Sequence, residues 1–211
     1  MLGDKIHIRP EYYRTANELM AHFLPTIGTH QRHVIVIGGE SGSGKSVLAY
    51  CLSDRLQANG IGVVLWQLDD YFRLPPADNH AARVESLTNV GLREVDMVLL
   101  QQHLDAFKNG ATQVLKPISS YIHNRIAHEI SLIDDAQILI IEGTYALYLQ
   151  NTDTSVFINR CYKDTILQRQ ARGRDEIDAF SEQILQIEHE IVKKSGVNAS
   201  FVVEKDYSLH S

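Results

Sequence analysis

The chain has 211 residues, of which 44% are hydrophobic and 22% are charged, and it carries a net charge of −6 at pH 7. This balance is typical of a soluble globular domain, and two cysteines in a chain of this size exclude a disulfide framework. Because the charge is acidic and neither a signal-peptide core nor about 18 consecutive apolar residues occur, we expect a cytoplasmic protein without nucleic-acid or membrane partners.

The first predicted elements are a helix, a buried strand and a second helix. Residues 11–27 have apolar positions at helical spacing, and this helix is predicted to end near Pro25 because proline cannot continue it. The β-branched run 33–37 is uniformly apolar, which is typical of a central parallel strand buried on both faces. After several glycines, residues 45–58 have apolar positions at helical spacing and are predicted to form the second helix.

Strands and helices continue to alternate along the rest of the chain. The polar residues 77–92, after the Pro75-Pro76 break, show no clear period, and residues 111–131 are mixed, with a turn or edge at Lys116-Pro117. The remaining predicted elements are strand 63–68, helix 94–108, strands 137–141 and 155–158, helices 162–172 and 176–194, and strand 201–209. This order predicts one doubly wound α/β domain over residues 1–211, with a parallel sheet of about five strands and an N-terminal helical extension over 1–30.

The segment between the first strand and the second helix matches the phosphate-loop pattern G-x-x-x-x-G-K-[S/T] in full. Glycines let the main chain curl around phosphate oxygens, and the loop delivers them to a helix N-terminus. Lys45 is predicted to reach the β- and γ-phosphates of ATP, and the Ser46 hydroxyl to bind Mg²⁺. The predicted nucleotide-binding residues are Gly39, Glu40, Ser41, Gly42, Ser43, Gly44, Lys45, Ser46 and Val47.

Carboxylates follow two of the predicted buried strands. Asp69 and Asp70 come directly after strand 63–68, and Glu142 ends the strand that begins at residue 137. The carboxyl ends of parallel strands face the ligand crevice, where one carboxylate can hold Mg²⁺ and another can accept the proton of an attacking hydroxyl. Ser46, Asp69 and Glu142 are therefore predicted metal ligands, and the choice between Asp69 and Asp70 as the base stays open.

Three arginines, Arg169, Arg172 and Arg174, surround Gly173. A break at this glycine could turn them together as a lid over about residues 169–178, where guanidinium groups would stabilise the transferred phosphoryl group and exclude water. The alternative is a solvated basic helix end. On the first interpretation the catalytic residues are Lys45, Asp69, Arg169 and Arg174, and Arg172 also binds the nucleotide.

These motifs resemble those of the uridine kinase family, which is related to phosphoribulokinase and bacterial pantothenate kinase. The likeness extends over about residues 33–209 and includes the loop 38–46, the stretch 69–73, Pro117 with His123 and Arg125, Glu142-Gly143, and 172–175. It implies strand order 2-3-1-4-5, Asp69 as general base, Glu142 near Mg²⁺, and lid arginines on the ATP phosphates. It also implies an acceptor site near Asp69, Tyr71, Arg73, His123 and Arg125.

The sequence departs from this family at the acceptor. Ser119 and Ser120 stand where uridine kinases carry a tyrosine and an aspartate, and the following segment is about one residue shorter. We therefore expect an ATP-dependent, uridine kinase-like phosphotransferase acting on a small-molecule hydroxyl. The alternatives are another acceptor (pantothenate, glycerate or a sugar phosphate) and an ATP-binding regulatory protein without an acceptor.

An apolar stripe near the C-terminus leaves the oligomeric state open. Its members are Ile177, Phe180, Ile184, Ile187 and Ile191. It spans only about two heptads, so packing within the chain is favoured over a homo-oligomer seam.

Overall fold

A computed structural model describes residues 8–27, 32–166, 169 and 178–211. Its helices are α1 (Pro10–Phe23), α2 (Lys45–Ala58), α3 (Pro76–Glu85), α4 (Met97–Lys108) and α5 (Ala179–Ser195). Its strands are β1 (His33–Gly39), β2 (Val63–Gln67), β3 (Gln113–Ser120), β4 (Arg125–Leu132), β5 (Ile138–Glu142), β6 (Thr154–Ile158), β7 (Phe201–Val203) and β8 (Leu209–His210). Within these ranges, no helix is both long and apolar enough to cross a bilayer.

The central sheet has the strand order β2-β5-β1-β6-β7-β8. The first five strands pair in parallel, and β8 pairs with β7 antiparallel. When the separate β3–β4 hairpin is left aside, the parallel strands follow the order 2-3-1-4-5, which confirms the predicted doubly wound α/β fold. The last predicted strand, within residues 201–209, is confirmed as β7, but it is shorter than expected, because Tyr207 adopts a positive φ of 68° in the turn that leads to the antiparallel β8.

The sheet separates two apolar cores, as expected for helices on both faces. Ile35 and Ile37 of β1 point into one core with α1 and α2, whereas Val34 and Val36 point into the other with α4. All four side chains are fully buried. This alternation explains why β1 is apolar at every position instead of at every second one.

Two segments that the sequence pattern left unassigned have regular structure. The first segment contains α3. This helix begins at Pro76, because the missing N–H of a proline at the first helical position needs no partner there. The second forms the antiparallel β3–β4 hairpin. Lys116-Pro117 lies inside β3, an edge strand of this two-stranded sheet, so the edge alternative is confirmed and the turn is not. Strand β3 packs against the short helix that follows β2, Leu68–Tyr71, and the tip of the hairpin is hydrogen-bonded to α3.

Helix boundaries differ modestly from expectation. Helix α4 begins at Met97, since the Asp96 side chain accepts a hydrogen bond from the Leu99 N–H and caps the helix. Of the predicted helix 162–172, residues 162–165 form a turn, and residues 167, 168 and 170–172 lie outside the described residues. In α5, Ile184 is buried and Ile191 packs against the second core, so this part of the isoleucine stripe packs within the chain, whereas Ile177 lies outside the described residues.

Candidate active site at the phosphate loop

The loop between β1 and α2 has a backbone that requires glycine. Gly42 and Gly44 have φ values of 75° and 106°, which side-chain-bearing residues rarely adopt. A Cβ atom at Gly42 would lie 2.9 Å from Cγ of Arg169, and one at Gly44 would collide with the hydroxyl of Tyr12 on α1. The loop therefore curls tightly, and neighbouring side chains close around it.

Unsatisfied donors surround this loop. The Ser43 hydroxyl and Nε of Arg169 are buried and find no hydrogen-bond partner among the residues that the structure describes. The buried Lys45 ammonium donates to the Glu40 carbonyl oxygen at 2.9 Å, and α2 begins at this point with its free N–H groups. Concentrated donors at a helix N-terminus fit a polyphosphate with many acceptor oxygens.

Two of the three predicted metal ligands contact each other directly. The Ser46 hydroxyl donates to Oε1 of Glu142 at 2.9 Å, joining the first turn of α2 to the end of β5. Burial raises the pKa of Glu142, nearby Lys45 and the Ser46 hydrogen bond lower it, and the charge of Asp69 raises it. The charge of Asp69 is thus close enough to influence the pKa of Glu142. A hydroxyl with two carboxylates is an all-oxygen donor set of the kind that Mg²⁺ prefers.

The two neighbouring aspartates differ in their surroundings. Asp70 is buried and accepts hydrogen bonds from Nζ of Lys116 at 3.0 Å and from the Ser119 N–H at 3.1 Å. Its carboxylate therefore fastens the short helix after β2 to strand β3. Asp69 is half-buried, and its charge acts on Glu142. This geometry favours Asp69 over Asp70 as the carboxylate that faces the crevice.

Tyr71, predicted at the acceptor, lies in the apolar core. Its side chain is 1% exposed, and its hydroxyl lies 3.0 Å from Nδ1 of His103 on α4. Burial, followed by the charges of Asp70 and Glu129, raises its pKa above the usual range. A tyrosine held in this way supports the fold beneath Asp69, and its placement does not favour contact with an acceptor.

The other predicted acceptor residues lie on the surface. Arg73 is half-exposed and forms a bidentate pair with Asp96, at 3.2 and 3.3 Å. His123 and Arg125 are exposed at the turn between β3 and β4. Between them, the Asn124 side chain accepts a hydrogen bond from the first turn of α3 at 2.8 Å, so the hairpin tip is attached to that helix.

Of the predicted lid arginines, the structure places only Arg169 within its described part. Nη2 of Arg169 donates to the Tyr162 carbonyl oxygen at 3.2 Å, and the side chain packs on Gly42. Arg172, Arg174 and most of the predicted lid over 169–178 lie outside the described residues.

The structure also shows contacts to the loop that the motif did not predict. The Glu40 carboxylate accepts a hydrogen bond from the Tyr162 N–H at 2.6 Å and contacts Nδ1 of His189 on α5 at 2.7 Å. The Thr165 hydroxyl donates to the Ser41 carbonyl oxygen. Because Glu40 and His189 are 149 positions apart, no spacing rule in the sequence could have paired them.

A largely buried ionic cluster joins α3, the loop before α4, and α5, and sequence reasoning missed it. It consists of Arg83 on α3, Glu94 and Glu188 on α5. The Arg83 guanidinium donates from Nε to Glu94 at 2.5 Å and from Nη2 to Glu188 at 3.2 Å. Glu94 also accepts hydrogen bonds from Asn79 and from the Gly91 N–H. These carboxylates raise the pKa of Arg83, against the effect of burial, so the guanidinium stays charged.

Comparison with known proteins places this geometry in a family. The sequence profile of the phosphoribulokinase/uridine kinase family matches residues 34–193. A bifunctional α-galactosidase/sucrose kinase from Mediterraneibacter gnavus is 28% identical over 193 residues, which is 85% of this chain but only 21% of that protein. Uridine kinase from Enterobacter sp. (strain 638) is 29% identical over 158 residues, 70% of this chain and 71% of that protein.

The fold is also shared with a solved structure. The structure described as a possible uridine kinase from Bacillus stearothermophilus matches with a TM-score of 0.63 and 22% identity, covering 90% of this chain and 97% of the other. This match supports the fold, and the family profile extends over most of the chain. The chain therefore belongs to the phosphoribulokinase/uridine kinase family and has the P-loop kinase fold.

Proposed function

We propose that this protein is an ATP-dependent kinase that transfers the γ-phosphoryl group to a hydroxyl of a small molecule. One observation carries the proposal: the Ser46–Glu142 hydrogen bond forms between the phosphate loop and the end of β5, within electrostatic range of Asp69. A loop that binds nucleotide needs no second carboxylate beside the metal ligand, whereas phosphoryl transfer to a hydroxyl does.

Each residue then has a defined role. Bound ATP–Mg²⁺ supplies the transferable phosphoryl group, and loop residues 39–47 hold its phosphates. Ser46, Glu142 and Asp69 provide oxygen ligands on the metal side. Asp69 also takes the proton of the acceptor hydroxyl. Lys45 and Arg169, together with Arg172 and Arg174 of the lid, stabilise the charge that develops on the γ-phosphoryl oxygens.

Uridine is the first acceptor that we propose to test, because of the family and the uridine kinase relatives. A carbohydrate is the second, supported by the similarity to a protein whose name includes sucrose kinase over 85% of this chain. Ser119 and Ser120 lie in β3, where the resemblance implies acceptor contacts, and the Ser119 N–H is engaged by Asp70. The cytoplasmic location and any homo-oligomer remain part of this proposal.

An acceptor panel tests the function. Purified protein with ATP–Mg²⁺ is mixed with uridine, cytidine, sucrose, fructose, glycerate, pantothenate and sugar phosphates, and ADP release is measured. We expect one chemical class to raise ADP release well above the rate without acceptor. ATP hydrolysis that no compound changes would favour the regulatory alternative instead. Absence of any nucleotide binding would contradict both interpretations.

A further inference from the structure

A glutamate lies inside the phosphate loop, where polyphosphate is expected to bind. Glu40 directly follows β1, and its side chain is only 7% exposed. A buried carboxylate needs partners, because it has lost the water that would otherwise stabilise its charge. A negative charge in this loop would also repel the phosphates of a bound nucleotide. The position of the Glu40 carboxylate therefore calls for an explanation.

Both carboxylate oxygens of Glu40 contact groups that lie outside the loop. Oε2 accepts a hydrogen bond from the Tyr162 N–H at 2.6 Å, and Oε1 lies 2.7 Å from Nδ1 of His189 on α5. Because an ionised carboxylate only accepts hydrogen bonds, the proton of the second contact belongs to Nδ1 of His189. These two bonds turn the carboxylate toward Tyr162 and α5.

The His189 ring is itself held in place. Its imidazole packs edge-on against the Tyr162 ring, with the two ring centroids 6.0 Å apart. The preceding residue of α5, Glu188, pairs with Arg83 at 3.2 Å, which attaches this turn of the helix to α3. Helix α5 therefore presents the imidazole to Glu40 from a fixed position.

The main chain of Glu40 contacts the lysine of the phosphate loop. Nζ of Lys45 donates to the Glu40 carbonyl oxygen at 2.9 Å, and the Ser43 N–H donates to the same oxygen at 3.1 Å. A Glu40 carboxylate without its histidine partner would belong to the residue that Lys45 already contacts, and it could turn to form an ion pair with the ammonium. Such a pair would compete with phosphate oxygens for Lys45.

We propose that His189 is a positioning residue for nucleotide binding and that it acts through Glu40. Its hydrogen bond holds the Glu40 carboxylate toward α5, so that this carboxylate does not compete with the β- and γ-phosphates for the Lys45 ammonium. His189 thereby allows a loop that binds polyphosphate to contain an acidic residue. Of the proposed function, the inference rests on nucleotide binding alone and is independent of the acceptor.

Substitution of His189 tests the contact through nucleotide binding. We expect His189→Ala to bind ATP–Mg²⁺ about tenfold more weakly than the parent in calorimetry, the effect of one lost charge-assisted hydrogen bond. Because the His189 side chain is 28% exposed, its replacement should leave the fold intact. His189→Asn keeps an N–H donor near the position of Nδ1 and should restore most of the affinity.

His80→Ala is the matched control for these variants. The His80 ring packs edge-on against the Phe180 ring of the same helix α5, with the centroids 5.8 Å apart. Its removal should therefore change a contact of α5 without changing the affinity for ATP–Mg²⁺.

Glu40→Gln separates positioning from a merely structural role of His189. The amide has nearly the same shape as the carboxylate but no charge with which to compete for Lys45. In the Glu40→Gln background, His189→Ala should change the affinity for ATP–Mg²⁺ by less than about twofold, because the two residues act as one unit. An equal loss of affinity in both backgrounds would overturn the inference.

Other outcomes distinguish this inference from the proposed function. Equal ATP affinity of His189→Ala and the parent, even with a lower melting temperature, would show that the Glu40–His189 contact only stabilises the fold. That result would overturn the inference and leave the kinase proposal intact. Nucleotide binding that depends on His189, without phosphorylation of any acceptor, would support the inference and contradict the kinase proposal. A parent protein that binds no nucleotide would overturn both.

Discussion

Two regions of the molecule are constructed by different means. The phosphate side, residues 39–46 with Glu142, is a short loop whose conformation depends on its glycines, and a hydrogen bond from Ser46 joins it to the end of β5. The ionic cluster of Arg83, Glu94 and Glu188 is instead assembled from side chains on α3, the loop before α4, and α5, which are distant in sequence.

This difference has consequences for what each region can change. The glycines of the phosphate side tolerate little variation, because a Cβ atom would collide with neighbours. The ionic cluster depends on side chains, so a few substitutions can change its charge and shape without disturbing the loop.

The largest expected effect on kcat comes from a substitution of Asp69. Asp69→Asn removes the proposed base while keeping the shape of the side chain, so kcat should fall about thousandfold. ATP affinity, measured by calorimetry, should change little, because the loop itself is intact. A variant with unchanged kcat would show that Asp69 is not the base.

The neighbouring aspartate is the control for that variant. Asp70→Asn weakens the contacts to Lys116 and to the Ser119 N–H, both of which are buried. It should lower the midpoint of thermal unfolding and change kcat less than Asp69→Asn does. The reverse order of effects on kcat would assign the base to Asp70.

The ionic cluster is expected to contribute more to stability than a surface ion pair does. Arg83→Ala leaves Glu94 and Glu188 without their shared guanidinium, and removal of one member of a buried ion pair costs about 3–5 kcal/mol of unfolding free energy. The matched variant Arg73→Ala breaks the half-exposed pair with Asp96 and should cost less than about 1 kcal/mol. Urea denaturation measures both values. Similar losses of unfolding free energy for the two variants would mean that the cluster contributes no more to stability than a surface ion pair does.

The sequence predicted the elements on both sides of the phosphate loop because their signal is local. The loop motif, the buried strand before it and the helix from Lys45 to Ala58 all occur as predicted. The carboxylate at Glu142 was found by its position at a strand end, and the structure brings it to Ser46. Sequence spacing and periodicity are sufficient to predict structure where the residues concerned are neighbours in the chain.

The ionic cluster and the burial of Tyr71 could not be predicted in the same way. Arg83 lies in a polar segment that the prediction left unassigned, and its partner Glu188 is 105 positions away. Tyr71 was expected near the acceptor from the family resemblance, yet the short helix after β2, Leu68–Tyr71, points it into the core. Polar residues that pair across the fold show no periodicity, so only tertiary structure reveals them.

The smallest effect that we predict concerns pH and the phosphate side. Burial raises the pKa of Glu142 in the folded chain, so folding without metal favours its protonated form. For a carboxyl group whose folded pKa is raised, this stabilisation is present at low pH and is lost as pH rises from the unfolded pKa through the folded one. Glu142→Gln, an analogue of the protonated form, should therefore raise the melting temperature at pH 8 and change it little at pH 4. Mg²⁺ with ATP should stabilise the parent at pH 8 more than the variant, because the ionised carboxylate is the proposed ligand. A variant that is less stable than the parent at pH 8 without metal would show that the favourable interactions of the ionised Glu142 carboxylate with Lys45 and Ser46 outweigh the unfavourable effect of its burial.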